Sequence, residues 1–125
     1  MRYDPDQPVD AQEWLAIDEG ARQAAVIEYH TAAPIQVPNI QLHAIFHVII
    51  ENQIAEGDAY PVRAVLERLM AEGLDRHEAI HAIGSVLARH FQATMVGGSH
   101  SAQEGQYFDS LKKLTRKSWY EEFDD

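Results

Sequence analysis

The chain has 125 residues, of which 46% are hydrophobic and 24% charged, a balance typical of one globular domain with one core. Its 20 acidic and 10 basic residues give a formal net charge of −10, which argues against nucleic-acid and membrane-surface binding. Because cysteine is absent, disulfides, thiolate nucleophiles and cysteine-ligated metals are excluded.

Prolines and helix-capping residues divide the first half of the chain. Pro5 and Pro8 oppose a helix at the N-terminus, and Asp10, Asp18 and Asn39 are residue types that favour the start of a helix. In chain order we predict an extended arm at 1–9, helical segments from Asp10 and from Asp18 to about His30, a linker at 32–38, and a helix at 39–56 stopped by Gly57.

The second half carries the clearest helical periodicity. Val62, Val65, Leu66 and Leu69 recur at helical spacing after Pro61, and Gly73 ends that helix. Asp75 then caps a helix over 76–96, which a break at 97–99 separates from a last helix through Leu111 and Leu114, with a polar tail at about 116–125. We therefore predict one all-α domain over 1–125, a compact antiparallel bundle of five or six helices.

Two pairs of histidines have the spacing of metal ligands on a helix. His43 and His47, and likewise His77 and His81, are four residues apart, so each pair lies on one helical face. The second pair belongs to an HExxH pattern with Glu78, which this composition produces by chance about 0.03 times. The pattern therefore points to metal chemistry in a chain without cysteine.

The helical wheel places both pairs beside apolar faces, where two helices could meet. His43, His47 and Glu51 follow one edge of the 39–56 helix, and His77, His81 and Gly84 follow a flank of the next long helix. If these edges meet, we expect a divalent-metal site with zinc as the first choice and iron, manganese or nickel as alternatives. The expected ligands are His43, His47, Glu51, His77 and His81, with Glu78 as a catalytic base or a carboxylate that orients a ligand.

Two metal chemistries and one structural interpretation compete for these residues. A zinc protease would use Glu78 as the base on a bound water, but the chain is short for a substrate cleft. A carboxylate-bridged two-metal bundle needs a second Glu-x-x-His motif, which only a symmetric dimer could supply. Alternatively, the histidines are structural and Glu78 is the capping partner of Asp75. His30, His90 and His100 lack spaced partners and are interpreted as surface or packing residues.

A rival hypothesis belongs to another functional class. The aromatic residues at 119–123 and the apolar helix surface suggest a non-catalytic interaction or assembly module, with a second copy of the chain as its partner. No signal peptide and no apolar run long enough to span a bilayer are recognised, so we expect a cytoplasmic protein without nucleic-acid or membrane partners.

Two segments carry a resemblance to a known group of proteins. Residues 38–53, with His-x3-His-x3-Glu-Asn-Gln, and residues 68–84, with Arg-His-Glu-Ala-Ile-His, resemble a family of short, uncharacterised bacterial proteins, a domain of unknown function. The resemblance implies a bacterial cytosolic helical protein and no particular reaction. The matching positions are His43, His47, Glu51, Asn52, Gln53, His77, Glu78 and His81.

Overall fold

A computed structural model describes residues 2–33, 39–97 and 100–123, with the side chains of 93–104 and 122–123 outside the description. Within these ranges the chain forms seven α-helices and no strand. A short 3-10 helix at Gly57–Ala59 follows the third. The helices are α1 Ala11–Ala16, α2 Glu19–Ala32, α3 Ile40–Ala55, α4 Val62–Ala71, α5 Arg76–Gly97, α6 His100–Lys113 and α7 Arg116–Phe123. The all-α prediction is confirmed.

The structure describes seven helices, more than the five or six predicted. The difference arises because α1 and α2 are separate helices and because the predicted polar tail contains α7. Ile17 has extended backbone, so α1 stops there and Asp18 caps α2 as a separate helix. The predicted polar tail begins with α7, where Thr115 and Ser118 exchange side-chain and backbone hydrogen bonds at the helix start. Trp119 of this helix is buried in the core, so the segment is not only a solvated tail.

The structure confirms four of the predicted helix starts and the two predicted glycine stops. The side chains of Asp10, Asp18, Asn39 and Asp75 each accept a hydrogen bond from the amide three residues later. Gly57 and Gly73 have positive φ angles of 64° and 115° just after α3 and α4, a conformation that suits glycine. Most of the predicted 32–38 linker and of the 97–99 break lies outside the described residues.

Helix α3 runs between two hydrophobic clusters and packs against α1, α2, α4 and α5. Its Ile50 joins a cluster formed mainly by α4, α5, α6 and α7, whereas Ala44 and Val48 join a smaller cluster with Trp14 and Val26. Because α3 contributes buried residues to both clusters, its edge with His43 and His47 is held in place between neighbouring helices. This packing positions the candidate site.

The N-terminal arm contains a turn, in which the Gln7 amide donates to the Asp4 carbonyl at 3.0 Å, and it lies against the start of α5. Tyr3 and Pro5 are buried, and the Pro5 carbonyl accepts a hydrogen bond of 3.0 Å from the Arg76 guanidinium. The His77 amide donates to the Asp6 carboxylate at 3.3 Å. The arm is therefore part of the packed structure. Among the described helices, none is both long and apolar enough to cross a bilayer.

Candidate metal centre

Three helices bring five imidazole rings together. His30 comes from α2, His43 and His47 from α3, and His77 and His81 from α5. Ring centroids lie 4.2 Å apart for His77 and His81, 4.8 Å for His30 and His47, and 5.3 Å for His47 and His81. Four of these residues, His30, His47, His77 and His81, each place one ring nitrogen within 4.8 Å of the others. We call these four the histidine tetrad.

The structure brings together the two helix edges that the sequence selected. It adds His30 to the histidines of these edges, and it leaves Glu51 outside the tetrad. His30 is buried at 5% exposure inside the tetrad, which rules out a surface position and leaves the packing interpretation, with other histidines as its neighbours. It comes from a separate helix and has no partner at a spacing of four, so no local pattern could reveal it. His90 does have a packing role, with Nε2 3.0 Å from the Ser110 hydroxyl, and the side chain of His100 lies outside the description.

The outer nitrogens of His30 and His47 are held by hydrogen bonds that fix their protons. Nδ1 of His30 lies 2.9 Å from the Val26 carbonyl, which can only accept, so this nitrogen carries the hydrogen. Nδ1 of His47 lies 3.1 Å from the Tyr3 hydroxyl, and that hydroxyl donates at 2.6 Å to Glu51 Oε2. The Tyr3 oxygen therefore accepts from His47, and both histidines turn an Nε2 lone pair inward.

On the inner side of the cluster, ring nitrogens face one another without enough N–H groups to form a hydrogen bond for each. Nε2 of His43 lies 3.1 Å from Nε2 of His30 and 3.1 Å from Nε2 of His47, and one N–H cannot satisfy both acceptors fully. The Nε2 atoms of His77 and His81 are shielded from solvent and make no hydrogen bond to any described residue. Buried ring nitrogens normally find a partner, and no described residue supplies one for these two.

Burial keeps these imidazoles neutral, the form that binds metals. Burial is the largest of the causes that lower the pKa of His43, His77 and His81 to about 4, and neighbouring histidines contribute to the same shift. Burial also lowers the pKa of His47 far below its usual range. At neutral pH these four histidines therefore offer lone pairs and no positive charge.

Glu51 lies next to the histidines but is engaged elsewhere. Arg76 binds it through two parallel hydrogen bonds of 2.7 and 2.8 Å, and Tyr3 takes a further position on Oε2. Glu51 has 0% and Arg76 4% exposure, so the pair is buried. Burial raises the pKa of Tyr3, which keeps its hydroxyl protonated. The structure therefore places Glu51 as the anchor of Tyr3, outside the tetrad that it was expected to join.

The Glu78 carboxylate is not in the tetrad. The Glu78 backbone N–H donates to the Asp75 side chain at 2.8 Å, which is the hydrogen bond of a capped helix start. This contact accounts for the position of residue 78 in the first turn. A catalytic role for its carboxylate stays a prediction.

The Asn52 and Gln53 side chains, which follow Glu51 in the chain, form hydrogen bonds with other helices. Asn52 Oδ1 accepts 2.8 Å hydrogen bonds from Trp14 and from Arg22, and Gln53 accepts one of 3.0 Å from Tyr107. With Glu51, these successive polar residues thus connect α3 to the N-terminal arm and to α1, α2, α5 and α6. Their role here is to fix the helix that carries two of the histidines.

Four histidines in such proximity could hold a metal ion. A tetrahedral zinc site with Zn–N bonds of about 2.0–2.1 Å separates its ligand nitrogens by about 3.4 Å. The tetrad nitrogens lie within 4.8 Å of one another, so a tetrahedral zinc ion would draw some of the rings inward by about 1 Å. An all-imidazole group suits zinc, copper, nickel or iron better than manganese, which favours oxygen ligands.

Comparison with known proteins gives no independent indication of function. No protein-family model, no curated protein and no solved structure matches the chain. The resemblance to short bacterial proteins therefore stays a prediction, and the function has to be inferred from the geometry of the histidines.

Proposed function

We propose that the chain is a divalent-metal-binding protein whose ion, zinc in the first instance, is held by His30, His47, His77 and His81. The observation that carries the proposal is the convergence of the four ring nitrogens within 4.8 Å. The outer nitrogens of His30 and His47 are occupied by a carbonyl and by Tyr3, as is usual for histidines that bind metals.

A purely structural histidine cluster is the main competing explanation. It would require each buried nitrogen to find a hydrogen-bond partner, whereas Nε2 of His77 and Nε2 of His81 have none among the described residues. It would also gather neutral rings with too few hydrogens around His43. An ion satisfies these lone pairs together, which favours the metal-binding function.

The direct test is the metal content of protein purified without chelators, followed by zinc titration of the metal-free protein by calorimetry. The proposal predicts about one ion per chain for the wild type, since the tetrad is one tetrahedral ligand set. The double variant His77→Ala/His81→Ala should lose the ion. His90→Ala, a histidine on the same helix outside the cluster, is the matched control and should retain it. Equal zinc binding by both variants, or none by the wild type, would refute the proposal.

A homodimeric assembly module is the second candidate. Leu42, Ile45 and Phe91 are 38%, 38% and 47% exposed, and Phe91 contacts Phe46 with ring centroids 5.9 Å apart, so α3 and α5 present an apolar surface. Trp119 is buried in this chain's own core and does not support the expected aromatic interface at 119–123. Sedimentation of the wild type and of Ile45→Glu tests this candidate. The wild type must sediment as a dimer, and the Ile45→Glu variant must sediment as a monomer.

A further inference from the structure

A cavity of about 300 Å³ borders the histidine cluster on one side. Its polar lining residues are His43, His47, His81 and Ser85, and its apolar lining includes Phe46, Ile50 and Trp119. Two members of the tetrad, His47 and His81, therefore face both the proposed ion and this cavity. Small-molecule sites in proteins have this character, with mostly apolar walls and a few polar groups at one place.

The charge of the site restricts what the cavity can hold. Neutral imidazoles bring no negative charge, so a divalent ion in the tetrad keeps its full charge of +2 in a largely buried place. The nearest buried carboxylate, Glu51, is neutralised by Arg76 at 2.7 Å. Asp4 and Asp75 are exposed to solvent, and no acidic side chain is among the described residues that line the cavity. A buried charge of this kind requires a counter-charge.

We propose that the cavity binds a small monoanion with an apolar body, such as an aromatic or branched aliphatic carboxylate, whose oxygen joins the metal ion as a fifth ligand. This inference rests on the proposed metal site. The anionic oxygen supplies the missing negative charge, and the apolar body lies against Phe46, Ile50 and Trp119. The volume of about 300 Å³ is at the small end of ligand pockets, which limits the body to about one ring or a short branched chain.

Cobalt-loaded protein gives a direct test, because the visible spectrum of Co²⁺ changes when a ligand joins it. Cobalt binding is measured first, without any anion. Benzoate is then titrated, with benzamide as the neutral molecule of similar shape and acetate as the anion without an apolar body. We expect benzoate to change the spectrum with saturation at concentrations about tenfold lower than either control, since it alone combines charge with apolar contact.

Two cavity variants and one control locate the effect in the cavity. Ala88→Leu adds volume to the cavity wall without altering a histidine, and Ala64→Leu adds the same volume on the exposed side of α4. Gly84→Ala is a milder alternative, since its new Cβ would lie 3.5 Å from Ile50 Cδ1, an ordinary contact. Ala88→Leu should weaken benzoate binding about tenfold or more through steric overlap and leave cobalt binding unchanged, and Ala64→Leu should change neither.

The outcomes separate this inference from the proposed function. If cobalt binds but benzoate binds no better than acetate or benzamide, the inference is overturned and the metal site stands. Unchanged benzoate binding by folded Ala88→Leu and Gly84→Ala would also overturn it. If neither cobalt nor zinc binds the wild type, both the proposed function and the inference fail.

Discussion

Tyr3 and His47 lie 44 residues apart in the chain, and the Tyr3 hydroxyl and His47 Nδ1 are 3.1 Å apart in the buried interior. The same hydroxyl donates to Glu51, so one side chain of the N-terminal arm connects the proposed metal ligand to a buried ion pair. The orientation of His47 therefore depends on a segment that is neither helical nor near the histidines in sequence.

Tyr3→Phe tests this connection. Without the hydroxyl, His47 Nδ1–H loses its acceptor, and the ring can move its hydrogen to the nitrogen that faces the tetrad. We expect the zinc affinity to fall about 10- to 100-fold, the range for partners that orient metal ligands. Tyr107→Phe removes a hydrogen bond to Gln53 remote from the tetrad and should preserve the affinity. Calorimetric titration of both variants with zinc measures the difference. Equal zinc affinities for Tyr3→Phe and Tyr107→Phe would contradict the role of Tyr3 in orienting His47.

The buried ion pair makes a second prediction, which concerns folding. Arg76→Met leaves the Glu51 carboxylate charged and buried, so the free energy of unfolding should fall by about 3–5 kcal/mol. The double variant Glu51→Gln/Arg76→Met contains no buried charge and should recover part of that loss. Urea unfolding of the metal-free proteins measures both. A loss below about 1 kcal/mol for Arg76→Met would show that the pair is not buried as described.

The metal-free protein should become less stable on mild acidification. His43, His77 and His81 have a pKa of about 4 in the folded chain and 6.5 as ordinary side chains. Because the unfolded chain then binds more protons, their contribution to stability is complete above pH 6.5 and declines as pH falls towards 4. Urea unfolding across this interval measures the slope. The triple variant with alanine at these positions should show a smaller slope, and an equal slope would assign the effect to other groups.

His43 and His77 should differ as ligands although both belong to predicted pairs. His77 is a tetrad member, whereas His43 is outside the tetrad and has its Nε2 3.1 Å from Nε2 of His30 and of His47. We expect His77→Ala to abolish tight zinc binding and His43→Ala to reduce the affinity less. The comparison is made by competition with a zinc chelator at neutral pH. A larger loss for His43→Ala would place His43 in the ligand set instead.

Much of the fold could be predicted from local signals in the sequence. Asp18, Asn39 and Asp75 marked helix starts because their side chains cap the next turn within three residues. Periodicity also placed the histidines of α3 and α5 on edges that do meet. These features depend on neighbours close in the chain, which is why they were predictable.

The remaining parts of the site depend on contacts between distant segments. His30 joins the tetrad because α2 packs on α3, and nothing near residue 30 indicates this. Glu51 has the helical spacing of a ligand, but Arg76 and Tyr3 take both of its oxygens. Spacing identifies which side chains share a face, whereas their partners across the interface determine which of them remain available.

X-ray absorption at the zinc edge of the stoichiometrically loaded protein tests the central claim most directly. The account predicts about four nitrogen ligands near 2.0–2.1 Å with the scattering pattern of imidazole rings, plus at most one further light atom. His90→Ala should give the same spectrum. A first shell made mainly of oxygen atoms, with one imidazole or none, would contradict the claim that His30, His47, His77 and His81 hold the ion.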